Sequence, residues 1–175
     1  MMSNFTLRTT FYSLSLALAF CNQGFGLFLG ITVDLSPHQW IFSIILASVC
    51  FLTWIWSSVL LAYNNRPTST HALTSARAHF YSFLPLVPIF FAVGIMILSQ
   101  IHFNCHTKEF SDGEADGWCG AGATAGSLSI IQSIVATLAI WSILRSVSRS
   151  HTGLKTNIAA GDSNDTKVVA LASQA

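Results

Sequence analysis

Four long stretches of the chain contain no Asp, Glu, Lys or Arg: Phe11–Ile31, Trp40–Tyr63, Phe80–Ile101 and Ala121–Leu144. A helix needs roughly 20 apolar residues, rising about 1.5 Å each, to cross a hydrocarbon layer about 30 Å thick. All four stretches are that long. In lipid every backbone polar group must be satisfied within the protein, which leaves helices or closed barrels. The period-2 alternation of a membrane barrel is absent. A buried soluble bundle is also a poor fit, because no stretch carries the polar face of a soluble helix. Composition agrees: 52% of residues are hydrophobic and only 9% are charged, against roughly 25% charged in a soluble domain. The expected fold is all-α, an integral membrane four-helix transmembrane bundle. Residues 1–10 form a short N-terminus, residues 11–148 the membrane domain and residues 149–175 a disordered tail. A net charge of +1 gives no basic field suited to nucleic acid.

Charge sets the expected orientation. Arg8, Arg66, Arg77, Arg145, Arg149, Lys155 and Lys167 fall on one side of the four runs, and only Lys108 falls on the other. The positive-inside rule assigns the first side, with both termini, to the cytosol. Arg145 and Arg149, just after the fourth run, are candidate contacts for anionic lipid. Trp40, Tyr63, Tyr81, Trp118 and Trp141 lie near the run ends, where amphipathic rings favour the interface. Trp54 and Trp56 lie deeper and are expected to pack on neighbours or lipid. The first run has two readings. Arg8 followed by apolar residues and Ala17-Leu18-Ala19 resembles a cleavable secretory signal. The apolar stretch continues past that point to Ile31, which favours an uncleaved anchor. Intact mass separates the two.

Between helices in lipid, close approach of small residues and polar contacts replace the hydrophobic drive. Gly26 and Gly30, and Gly122 and Gly126, are spaced by four. They predict that the first and fourth runs pack on each other, within one chain or between chains. Asn22, Gln23 and Gln132 should face other helices. Pro85 and Pro88 should bend the entry to the third run. Cys105 and Cys119 flank the second outer connection, where disulfides are permitted, and are expected to be bridged. Cys21 and Cys50 lie inside runs and read as packing residues.

Chemistry is sparse. His102, Cys105, His106 and Cys119 are zinc-ligand types, but their spacing fits no familiar zinc motif and an oxidised pair cannot ligate. Asp112, Glu114 and Asp116 before Gly117 imitate the start of a calcium loop, whose twelfth position would be Ala123 instead of Glu. No GxSxG, HExxH or P-loop pattern occurs. Neither a catalytic residue nor a cofactor or metal is expected. The sequons at Asn4 and Asn164 fall on the expected cytosolic side and should stay unglycosylated.

Four spans, a short first outer connection, Cys105 with Trp118-Cys119 around the second, and the small-residue start Gly120-Ala121-Gly122-Ala123-Thr124-Ala125-Gly126 together resemble the MARVEL-type membrane-associating domain in its small fungal form. The resemblance covers about residues 8–148. It implies a non-enzymatic organiser of membranes or component of vesicle traffic. Its partners would be the lipid bilayer, other copies of itself, or other membrane proteins. Tetraspanins and claudin-like proteins fit worse, because their larger outer loops are missing. The runner-up from another class is a channel or an auxiliary subunit of a transporter.

Overall fold

The computed structural model describes residues 4–31, 37–64, 72–106, 114–150, 154–155 and 157–159. Five α-helices follow in order: α1 (Asn4–Ile31), α2 (Pro37–Tyr63), α3 (Ala76–Phe83), α4 (Leu86–His106) and α5 (Glu114–Ser150). A 3-10 turn, Ala72–Thr74, precedes α3. Four stretches are long and apolar enough to cross a membrane: Thr6–Ile31, Trp40–Tyr63, Ala76–His102 and Cys119–Ser148. The fold is the expected all-α four-helix bundle, and the chain is a multi-pass membrane protein.

Each helix extends beyond its apolar run. The 28 residues of α1 reach about 42 Å at 1.5 Å each, more than a hydrocarbon layer. Nothing in the flanking polar residues breaks the ladder, so the helix carries on outside the run. The same applies to α5, which continues to Ser150, past the expected boundary of the tail. The third span is interrupted instead. Helix α3 stops at Phe83 and α4 begins at Leu86, with a turn at Leu84 and Pro85. Neither Pro85 nor Pro88 has an N–H to donate back, so this bend follows directly from the sequence.

Burial follows a 3–4 spacing that the uniformly apolar sequence conceals. On α1 the buried positions are Arg8, Tyr12, Ser15, Ala19, Asn22, Gly26 and Leu29. On α2 and the residue after it the seam is Ser43, Leu46, Cys50, Thr53, Ser57, Leu60 and Asn64, with Ala47 also buried beside it. Alternating steps of three and four are the knobs-into-holes seam of a bundle. Outside the seams the helices expose large apolar side chains, such as Phe20 at 63% and Leu52 at 65%. In water that surface would aggregate; in a bilayer lipid covers it.

Glycines set how closely the helices approach, with partners other than those expected. A Cβ on Gly26 would meet the Ala47 backbone at 3.1 Å, and one on Gly30 would meet Ser43 at 3.7 Å. Both belong to the α1–α2 contact. A Cβ on Gly126 would strike Leu98, and one on Gly122 would strike Ile101, so both belong to α4–α5. The closest approach to another helix's backbone is at Gly94, where a Cβ would lie 2.9 Å from the Gly126 carbonyl oxygen. Helices α1 and α5 do pack, but through polar pairs: the glycine spacing identified the residues and misassigned their partners.

The tail also departs from expectation. Residues 154–155 and 157–159 return to the start of α3 as a short strap. Asn157 forms an antiparallel bridge with Ser75, and the Arg77 amide donates to the Leu154 carbonyl at 2.7 Å. Ile158 enters an apolar cluster with Tyr12, Leu60, Ala76, Phe83 and Ile143. Its burial contributes about 1.5–3 kcal/mol, while ordering each backbone residue costs about 1–2 kcal/mol.

Candidate functional site

Two ends of the bundle are distinguishable. The start of α1, the end of α2, the start of α3 and the strap meet at one end; the other carries the disulfide. At the disulfide end Cys105 and Cys119 are bonded, with Cα atoms 6.3 Å apart, as expected from the sequence. The bond joins the end of α4 to the start of α5. The acidic connection at 107–113, including Asp112, lies outside the described residues. Among the described residues no group of three or more His, Cys, Asp or Glu side chains could hold a metal.

The densest polar cluster is at the opposite end, and its centre is a residue the apolar runs leave out. Arg8 is fully buried. Its Nε donates to Asn64 Oδ1 at 2.6 Å. Asn64 Nδ2 in turn donates to Thr9 Oγ1 at 3.1 Å. One turn further into α1, the Tyr12 hydroxyl and His79 Nδ1 share a hydrogen bond of 2.9 Å. The Tyr12 ring stacks between His79 and Phe83, with centroids 5.5 and 4.9 Å away. Three elements supply these groups: α1, the end of α2 and the start of α3. Ser75 caps α3 by accepting from the Ala78 amide at 3.2 Å, which fixes where His79 emerges. Ionisable residues at membrane depth are costly and mark functional or locking positions.

A second tier of polar pairs joins α1 to α5 deeper in the bundle. Gln132 Nε2 donates to Ser15 Oγ at 2.7 Å and to the Ser15 carbonyl at 3.2 Å. Asn22 contacts Ser129 Oγ at 3.3 Å. With its amide turned over, Asn22 donates to the Ala125 carbonyl and accepts from the Ser129 amide, each at 3.2 Å, the better-satisfied arrangement. Ser133 Oγ donates to the Val87 carbonyl of α4 at 2.9 Å. Asn22 and Gln132 thus face other helices as expected, while Gln23 is half-buried.

Other expected positions are placed as follows. The Arg145 guanidinium lies 5.0 Å from the Trp141 ring centroid, an aromatic-supported cation at the termini-bearing end. Arg149 lies in the last turn of α5, and its side chain lies outside the described set. Trp54 is 36% and Trp56 43% exposed, so both face lipid. Trp54 also touches Phe20 and Phe51, with centroids 6.3 and 6.1 Å away. Cys50 is buried as expected, but Cys21 is exposed. Cys21 lines an open groove of about 630 Å³ between α1 and α5 near the disulfide end. A cavity of about 20 Å³ beside Gln100 and Gly122 is large enough for one water.

Comparison with known proteins returns no matching family model, no matching curated protein and no matching solved structure.

Proposed function

We propose that this chain is a non-enzymatic organiser of membranes, of the MARVEL type in architecture, acting as a scaffold or in vesicle traffic. The observation that carries the reading is how the polar interior is used. Arg8–Asn64, Tyr12–His79, Ser15–Gln132, Asn22–Ser129 and Ser133–Val87 each join one helix to another. Buried polar groups paired across helices lock a bundle. The outer surface is then the face open to other molecules. That surface carries an apolar face with the aromatic ridge Phe20, Phe51 and Trp54 for lipid or neighbouring membrane proteins, and aromatic-supported cations for headgroups. We further propose that the termini-bearing end is cytosolic, in the plasma membrane or an endomembrane, because the cationic residues collect there.

A flux assay on purified protein in lipid nanodiscs, paired with photo-crosslinking from position 54, tests the reading. We expect no selective conductance, and crosslinks to lipid or to other membrane proteins. Selective conductance would replace the organiser with the channel or auxiliary-subunit reading.

A further inference from the structure

The first N–H groups of an α-helix have no acceptor within the helix. In α3 the Ala78 amide is taken by the Ser75 side chain, but the Arg77 amide is taken by the Leu154 carbonyl of the strap. The start of α3 is therefore completed by a piece of the C-terminal tail. The strap's large fully inserted anchor is Ile158, 3% exposed, followed by Ala159 at 8%. It lies against Tyr12, Ala76 and Phe83, and Tyr12 is part of the buried polar cluster.

Closure has an electrostatic consequence. The Arg77–Leu154 bond and the Ser75–Asn157 bridge set Arg77 and Lys155, both exposed, on adjoining backbone. Arg77 rests over the Tyr81 ring at 5.5 Å, and Tyr81 is itself 54% exposed. Closure thus gathers two exposed cations at one edge of the bundle, and an anionic surface attracts both. A tyrosine and arginine side by side suit the headgroup layer.

We propose that the described residues 154–155 and 157–159 form a reversible strap, and that an anionic membrane surface holds it shut over the Tyr12–His79 side of the polar cluster. The inference does not depend on the organiser reading, since it concerns which lipid closes the strap and not what the bundle assembles.

The test is hydrogen exchange at the Arg77 amide, measured by mass spectrometry on the full chain in nanodiscs. One set of discs is neutral phosphatidylcholine and the other contains phosphatidylserine. Exchange should slow about ten- to thirtyfold in the anionic discs, as two cations near such a surface imply. High salt should cancel the difference. Lys155→Glu should exchange at similar rates in both discs. Ile158→Asp should exchange fast in both, with the Cys105–Cys119 bond and helicity retained; Ile158→Ala serves if the aspartate variant does not fold. Equal wild-type rates in the two lipids overturn the anionic latch. Slow exchange in the Ile158 variants overturns the strap itself.

Discussion

Arg8 combines a charge, complete burial and a place within a span-length helix. Its bond to Asn64 is charge-assisted at 2.6 Å, whereas the Tyr12–His79 bond joins a hydroxyl to an imidazole nitrogen at 2.9 Å. Charge-assisted bonds are roughly twice as strong, and removing one partner leaves the other buried and unpaired. Arg8→Ala should therefore destabilise the bundle by about 1.5–3 kcal/mol. Tyr12→Phe should cost only about 0.6–1.7 kcal/mol, the scale of hydrogen bonds between membrane helices. Denaturant unfolding in detergent micelles checks the order. A double-mutant cycle of Arg8→Ala with Asn64→Leu should show coupling, since the two share one bond. Sequence reading placed Arg8 as a flanking cytosolic charge because it stands just before the apolar run. Only the return of α2 to the same end brings Asn64 against it.

Helix contacts are where spacing was informative and incomplete. Gly94 stands alone in an aliphatic stretch and belongs to no four-residue pair. A Cβ there would nevertheless lie 2.9 Å from a backbone oxygen that cannot rotate away, the closest approach of any glycine position to another helix's backbone. Gly94→Ala should cost about 1–3 kcal/mol by overpacking. Gly122→Ala should cost less, since the atom in its way is the end of the Ile101 side chain, which can change rotamer. Thermal unfolding of the two variants in the same detergent separates them. At the disulfide end, Cys105→Ser should lower stability by about 3 kcal/mol, the loop-entropy value for this separation of 14 residues. Wild type under reductant should fall to the level of the variant. The disulfide was legible in advance because charge had already placed both cysteines on one outer connection. The strap was not legible. Its sequence is short and polar, like a solvated tail, and its one anchor has meaning only where Tyr12, Ala76 and Phe83 come together.

For the molecule as a whole, the proposed orientation makes a measurable difference. A glycosylation acceptor placed within residues 107–113 should be modified and shift the mass of the protein. The native acceptor at Asn164 should not. Modification of the second in place of the first would invert the bundle in the membrane while leaving its packing untouched. The four spans and their order were determined by the sequence alone. Length and the absence of charge act through the bilayer, and the bilayer needs no knowledge of which helix touches which. Partners are a different matter. Runs that are apolar all round carry little sign of which face turns inward, because lipid and protein interior look alike to an aliphatic side chain. Which glycine meets which helix, that Arg8 is buried against Asn64, and that the tail returns to finish α3 were decided by tertiary structure, where close packing and hydrogen bonding choose among faces that hydrophobicity leaves equivalent.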